Sequence, residues 1–356
     1  ETLIKYLNKE PLHNIIGSSF YDRNNSKKVY SHNKRQRIKD YSILPSAYLE
    51  GTFENLLKKY DYSWTLTWET NRGCPFKCTF CDWGSAIATR LEKFEEERLF
   101  KEIDYFSEKK IDLVFGADSN FGILKRDIKL ATKLAENKKK FGYPNRFTVC
   151  YTKNSTEKVF DLAKIFAEVG MHRGVSVSMQ SLNRNTLKNI KRDNIKLDFF
   201  KSLQRKYVEA DMVTYTELIL PLPGETYESW KEGIDKLLDS SQHSGLIVYN
   251  ANVMPNAELG DKNYQEKYKI ETAEIPLFQA HSDQPVDDIL EYEPIVVGTY
   301  SMSTSQWKKA YKFTVFLQGF HYLGLLQAVF IILRHEYGIT YSDFIESLVD
   351  YGEKNK

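Results

Sequence analysis

Between residues 63 and 250, short apolar runs alternate with longer amphipathic ones. The apolar runs cover 63–69, 111–117, 146–151, 174–179, 213–220 and 245–249, each the length of a buried strand. Between them, apolar residues recur at helical spacing. Residues 94–109 show this with Leu99, Phe100, Ile103 and Phe106, and 127–140, 156–169, 198–210 and 226–240 repeat it. Turn and capping residues, such as Asn154-Ser155 and Gly224, separate several runs. Six strands alternating with helices predict a parallel sheet with right-handed crossovers. A doubly wound sheet and a barrel both satisfy that pattern.

The rhythm fails on both flanks. At the N-terminal side, Leu3, Ile4, Leu7 and Leu12 suggest a short helix. A polar stretch over 21–39 follows, then an extended strap over 41–49 with Leu44, Pro45 and Tyr48. Residues 261–295 are polar and mixed, with Pro276, Pro285 and Pro294, and 305–350 read as mainly helical. The expected division is an N-terminal connector over 1–62, a core over 63–260 and a mainly helical C-terminal extension over 261–356.

With 42% hydrophobic residues in 356, the chain can bury a full core. Its 50 basic and 48 acidic residues leave a net charge of +2. That balance gives no electrostatic footprint for nucleic acid or an anionic membrane. The basic stretch 27–39, with Lys28, Arg35 and Arg37, is a local exception that reads as a solvated connector. Thr314 to Leu333 approaches the length of a membrane span. Gln318, His321 and Gln327 interrupt it, so a buried helix is expected and no span. The opening Glu1-Thr2-Leu3 lacks the basic start and apolar core of a secretory signal. Residue 1 is not methionine, so upstream sequence is expected to be missing.

Candidate chemistry is concentrated after the first strand. Cys74, Cys78 and Cys81 lie in RGCPFKCTFCDWG with the spacing C-x-x-x-C-x-x-C. Three such thiolates can hold three irons of a cubane iron–sulfur cluster, which usually takes four. Without a fourth ligand one iron keeps an open position, the mark of a reactive metal centre. Structural zinc would need a second ligand pair. The one remaining cysteine, Cys150, sits in the strand-like RFTVCYT and reads as a core residue. Four cysteines in a chain of this length do not make a disulfide scaffold.

In βα barrels the active site forms at the C-terminal ends of the strands. That rule nominates Asp118-Ser119-Asn120 after strand two, Lys153 and Asn154 after strand three, and Gln180-Ser181 after strand four. It also nominates Glu217 with the 220–225 turn at strand five, and Asn250, Asn252 and Met254 after strand six.

The cysteine run resembles the cluster motif of the radical S-adenosylmethionine (SAM) superfamily. The wider set ETNRGCPFKCTFCDWGS, GADSNFGILKRD, YTKNS, SMQS, LKNIKRDNI, ELILPLPGET and NVMPNAELGDKNY is similar to its cobalamin-domain branch, over roughly residues 40–265. The resemblance implies an α/β fold: a partial (β/α)6 radical SAM barrel with an N-terminal connector and a mainly helical C-terminal extension. It implies that Cys74, Cys78 and Cys81 bind a [4Fe–4S] cluster and that Phe80 lies near adenine. The Gly-Gly-Glu motif that grips the SAM amino group in many relatives is absent, so Asp118 or Asn120 is expected to substitute. Gln180 and Ser181 are expected at the SAM ribose or carboxylate, Arg192 at the carboxylate, and Glu217 at the adenine and ribose end. Pro221 stands where relatives usually have glycine.

The implied chemistry is reductive cleavage of SAM to a 5′-deoxyadenosyl radical, most simply for cobalamin-dependent C-methylation of a small metabolite. The D-x-H-x-x-G signature of the cobalamin domain does not occur, so any cobalamin is expected through a domain or partner outside this chain. Without cobalamin, dehydrogenation, epimerisation or rearrangement stay open. A non-catalytic scaffold or electron carrier is the alternative of another class. An electron donor such as flavodoxin or ferredoxin is an implied partner, and reduced thiols with an oxygen-sensitive cluster imply a cytoplasmic setting.

Overall fold

The computed structural model describes every residue except 1, 11, 13–14, 23–24, 32–37, 39, 84–89, 155–156, 173, 278–290 and 356. Ser155 as a cap, Arg35 and Arg37, the side chain of Lys28, and Pro285 lie outside the described residues.

Among the described residues six parallel strands stand in chain order: β1 (Thr65–Trp68), β2 (Leu113–Phe121), β3 (Arg146–Tyr151), β4 (Val175–Ser176), β5 (Thr214–Leu220) and β6 (Leu246–Asn250). They form two ladders, β1-β2-β3 and β4-β5-β6, and β4 lies beside β3. The helices between them are α1 (Glu96–Glu108), α2 (Asp127–Phe141), α3 (Glu157–Ala167), α4 (Leu197–Glu209) and α5 (Tyr227–Leu238). A short helix, Arg184–Asn189, precedes α4. This is the α/β parallel architecture that the alternation and the resemblance predict.

Each helix buries one stripe. Leu99, Ile103 and Phe106 face inward on α1, Leu162 and Phe166 on α3, and Phe200, Leu203 and Tyr207 on α4. Their spacing of three and four keeps them on one side, and each such side chain stabilises the fold by about 1.5–3 kcal/mol. The α5 N-terminus is closed by a capping box between Thr226 and Ser229.

The strands have two unlike faces. Phe147, Val149 and Tyr151 of β3 are buried under the helices, whereas Cys150 between them is exposed. Phe115 on β2 and Ile247 and Tyr249 on β6 are exposed in the same way. Cys150 therefore lies on the open inner face of the sheet, not in the core as the strand reading suggested. Beneath the helices packing is close: a Cβ on Gly116 would meet Val149 Cγ2 at 2.6 Å. Beyond Gly116 the β2–β3 ladder loses register and resumes only where Phe121 pairs with Tyr151. Residues 117–120 thus leave regular pairing at the mouth.

Two compact units are present, 1–44 and 45–356. In the first, Ser19–Asp22 and Asn25–Ser31 pair as an antiparallel hairpin with an irregularity at Tyr21/Asp22. The expectation had been a polar connector. The second unit begins well before the expected boundary at 62/63, because the strap is bonded to the barrel. Tyr48 donates to the Thr67 carbonyl and sets its ring edge-on to Phe106, centroids 5.0 Å apart. Ser46 Oγ and Trp68 Nε1 donate to the buried Glu102 carboxylate at 2.6 and 2.7 Å, and Arg98 Nε donates at 2.9 Å.

Past the barrel, helix α6 (Lys262–Tyr268) leads to an antiparallel pair, β7 (Glu271–Pro276) and β8 (Tyr292–Gly298). Helices α7 (Thr304–Phe316), α8 (Gln327–Tyr337) and α9 (Tyr341–Lys354) follow. A π-turn over Leu317–Tyr322 and a 96° bend divide the long apolar run. No single helix among the described residues is long and apolar enough to cross a membrane, although the bent pair passes by length and composition. The polar residues that interrupt the run anchor it near β6. Gln318 Nε2 donates to Leu246 O at 2.6 Å, Gln327 Nε2 to His243 O at 3.0 Å, and His321 Nε2 lies 3.1 Å from His243 Nδ1.

Candidate active site

The cysteine loop leaves β1 and is fixed from three sides. Asn71–Arg72 pairs with Glu92–Lys93. Thr79 N donates to Ile190 O at 3.1 Å, and Leu259 N donates to Thr79 O at 2.8 Å. Thr79 Oγ1 also lies 3.0 Å from Tyr264 OH, which donates to Asn189 O. Asn189 was not singled out from sequence, yet it joins this loop to the strand-five turn. Its Nδ2 donates to Pro223 O at 3.1 Å, where Gly224 (φ +100°) lets the chains approach.

Asp118 does not present a free carboxylate. It is fully buried and accepts from Thr70 N at 2.7 Å, Asn71 N at 3.1 Å, Asn71 Nδ2 at 2.8 Å and the Thr70 hydroxyl. Those four donors occupy the acceptor capacity of a carboxylate. Burial lifts its pKa to about 6 against the pull of these bonds. Asp118, nominated for the SAM amino group, instead clamps the start of the cysteine loop to β2. Ser119 adds a second clamp, donating to Gly73 O at 2.7 Å.

Asn120 is turned toward the cysteines. Its Nδ2 donates to Cys74 Sγ at 3.2 Å, and its Oδ1 accepts from Lys153 N at 3.4 Å. Lys153 Nζ lies 3.9 Å from Cys78 Sγ and 5.9 Å from the Phe80 ring centre. Cys74 and Cys78 are buried; Cys81 is half-buried, and burial pushes its thiol up while Lys153 opposes. Arg192 is buried, with 5% of its surface exposed. It donates to Ser178 O at 2.5 Å and Asn194 Oδ1 at 2.9 Å. Burial lowers its pKa, and the neighbouring Cys78, Glu217 and Cys81 act against that.

The two residues that end strand four part ways. Ser181 Oγ donates to the buried Glu225 carboxylate and accepts from Asn183 N at 3.0 Å, so it ties this loop to the start of α5. Gln180 holds a left-handed backbone, φ +61°, with its N–H on Glu217 O at 2.8 Å and its carbonyl accepting from Ile219 N. Among the described residues its buried Oε1 has no hydrogen-bond partner, so its acceptor capacity is unused. Glu217 accepts from the Ser178 hydroxyl and, at 3.3 Å, from Tyr249 OH. It lies within electrostatic reach of Cys150, Tyr215 and Tyr249. Phe80 packs on the cluster of Ile190, Ile219, Leu222 and Ala251.

The site therefore collects Cys74, Cys78, Cys81, Asn120, Lys153, Arg192, Gln180 and Glu217, and gives Asp118 and Ser181 to the scaffold. Tyr215 and Tyr249 went unnominated, although strand alternation places both on the face of Glu217. Among the described residues no three His, Cys, Asp or Glu side chains converge on a single ion. Zinc requires such convergence. A cubane, with each thiolate on its own iron, does not.

Residues 68–237 match the family model for the radical SAM superfamily. The cobalamin-dependent radical SAM methyltransferase TokK of Streptomyces tokunonensis is 37% identical over 321 residues, 89% of this chain and 47% of that protein. The 2-(S-pantetheinyl)-carbapenam-3-carboxylate methyltransferase of Streptantibioticus cattleyicolor is 36% identical over 310 residues, 86% of this chain and 45% of that protein. The chain spans about half the length of these curated relatives. A structure of the radical SAM methyltransferase TsrM from Kitasatospora setae, with cobalamin and a [4Fe–4S] cluster bound, superposes with a TM-score of 0.52 at 16% identity. It covers 72% of this chain and 50% of that one, a likeness of fold.

Proposed function

The chain belongs to the radical SAM superfamily, and we propose that Cys74, Cys78 and Cys81 hold a [4Fe–4S] cluster whose open iron takes the amino and carboxylate groups of SAM. The observation that carries this is the meeting of the cysteine loop with Asn120, Lys153 and Arg192, beside the idle Oε1 of Gln180. When bound, that group supplies the electron that cleaves SAM to a 5′-deoxyadenosyl radical.

The chain's own residues have separate tasks. The Asn120 amide stabilises the Cys74 thiolate by a hydrogen bond to its charged form. The buried charge of Arg192 offsets the negative charge gathered at Cys78 and Cys81. Gln180 Oε1 accepts from the SAM ammonium or a ribose hydroxyl, in place of Asp118. Phe80 offers its ring face to adenine, and Glu217 with Tyr249 orients the ribose side. Asp118 and Ser181 hold the strand ends that carry these groups.

For the whole protein we propose cobalamin-dependent methyl transfer to carbon of a small metabolite, with cobalamin supplied by a domain or partner outside these residues. Two methyltransferase relatives above 35% identity support that reading. A flavodoxin- or ferredoxin-type donor and a cytoplasmic setting follow from the same proposal. The test is anaerobic reconstitution with iron and sulfide, followed by an assay for 5′-deoxyadenosine under reducing conditions. Cluster absorbance and 5′-deoxyadenosine are expected from the native chain and neither from the triple Cys→Ala variant. Full iron and sulfide content in that variant would reject the ligand assignment. Full turnover of a substrate without any corrinoid would reject the methyl-transfer reading and leave the cluster assignment intact.

A further inference from the structure

A second feature shares Arg192 with the site above, and its other lining residues have no part in that chemistry. A cavity of about 1020 Å³ runs from Lys77, between Cys74 and Cys78, along Arg184–Asn189 to the start of α4. It is within the size range of small-ligand sites. Its apolar floor is made by Met179, Leu182, Leu187, Ile195 and Leu197, and its rim by Lys77, Arg184, Lys188, Lys191, Lys196 and Lys236. Asp193 and Asp198 are the acidic residues of the lining.

The rim is not neutralised from within. Lys191 pairs with Glu258 at 2.6 Å and Lys236 with Glu232 at 3.3 Å. Among the described residues Lys77, Arg184, Lys188 and Lys196 have no carboxylate within ion-pairing distance. Arg192, nine-tenths buried in the cavity wall, already faces Cys78, Glu217 and Cys81 and is not among these cations. On a chain whose overall charge is +2, this is a local concentration of cations. A cleft with low-dielectric walls and one sign of charge focuses its field on an entering ion.

We propose that this cavity binds an amphiphilic organic phosphate. The apolar body lies on the Leu182–Leu187–Leu197 floor, and the phosphate meets Arg184, Lys188 and Lys196. A carboxylate carries one charge and a phosphate monoester close to two, which suits several unpaired cations. The forked guanidinium of Arg184 gives two-point contact to phosphate oxygens that an ammonium cannot. A flat protein partner would use the rim but leave the apolar floor unfilled. The assignment does not depend on the cluster, because the residues that carry it are none of the cysteines.

The test is calorimetric titration of the full 356-residue chain with three probes below their aggregation limits. Octyl phosphate has head and tail, inorganic phosphate the head alone, and octyl glucoside the tail with a neutral head. Octyl phosphate is expected to bind at least ten-fold more tightly than either. Lys188→Glu/Lys196→Glu should weaken it ten-fold or more, and Lys139→Glu, on the exposed end of α2, should leave it unchanged. Thermal unfolding checks each variant, with Lys188→Ala/Lys196→Ala as the substitute if the charge reversal does not fold. Equal binding of octyl phosphate and inorganic phosphate, reporting an adventitious ion only, overturns the proposal. So does equal binding by the native chain and the folded double variant.

Discussion

The ends of β2 and β4 occupy equivalent places at one mouth, and both present a polar residue there. Asp118 is saturated: two backbone N–H groups and two side chains consume its oxygens. Gln180 is idle: its backbone is held on both sides, and among the described residues its buried Oε1 has nothing to accept from. Position at a strand's C-terminal end selects where a site forms, but not which residue in it meets the ligand. Counting used and unused hydrogen-bond capacity makes that distinction. A saturated buried carboxylate has no capacity left for a ligand, and a buried amide oxygen without a partner keeps that capacity.

The sharpest way to break this comparison is to remove each side chain and ask what is lost. Asp118→Ala strands several buried donors at once, and each costs about 1–3 kcal/mol when left unsatisfied. The expected outcome is destabilisation of about 3 kcal/mol in chemical unfolding of the chain without cofactors. A stable Asp118→Ala protein that merely failed to bind SAM would reverse the assignment.

A second test moves to the opposite end of the barrel, where His321 sets its Nε2 3.1 Å from His243 Nδ1 and, among the described residues, leaves its own Nδ1 without a partner. His321 is wholly buried against His243, and burial followed by that neighbour lowers its pKa from 6.5 to about 4. A pKa depressed in the fold means that the unfolded chain takes up protons first. Stability is therefore complete above about pH 6.5 and declines as pH falls toward 4, by about 3 kcal/mol. Asp118 has the opposite slope. Its pKa of about 6 lies above the unfolded value, so its contribution is full below about pH 4 and is lost as pH rises through 6. Because the two slopes oppose each other between about pH 4 and 6.5, the reading is the stability of the native chain minus that of His321→Gln, which should fall as pH drops through this window. A difference that does not change with pH would place the effect elsewhere.

For Gln180 the expected loss is smaller and of a different kind. Gln180→Ala deletes an acceptor that the fold does not use, so stability should stay within about 0.5 kcal/mol. SAM affinity of the reconstituted protein should fall about ten-fold, the equivalent of about 1.4 kcal/mol. Isothermal titration with SAM reads this directly, and unchanged affinity would leave the idle oxygen without a role.

The barrel was legible because buried parallel strands are unbroken apolar runs that end in polar residues. Arg146–Tyr151 coincides with its predicted bounds, and the other five runs lie at their strands. The Ser19–Ser31 hairpin and the β7–β8 pair were not legible. Three of these strands are polar and mixed, so main-chain pairing defines them; β8 carries a buried apolar run, Ile295 to Val297, that the mixed reading of 261–295 cut short. At the site, sequence located the strand ends but not their commitments. Nothing local marks Ser181 as the partner of Glu225, forty-four residues away, or buries Arg192 beside Cys78. Those facts exist only once the loops converge.

Cys150 is the miss that the sequence could have prevented, and it carries the last prediction. Phe147, Val149 and Tyr151 are the large apolar members of RFTVCYT, and they alternate. A strand's period of two then sends Cys150 to the opposite face, whatever the burial habits of cysteine in general. There it stands exposed on the inner wall, near Glu217 and Lys153. A core cysteine would leave a small cavity on truncation. On an open face, Cys150→Ala removes one sulfur that no packing depends on. The change in unfolding free energy should be below about 0.5 kcal/mol, and iron content after reconstitution should equal that of the native chain. A loss above about 1 kcal/mol would return Cys150 to the core. Loss of one iron in four would make it a cluster ligand and close the position proposed for SAM.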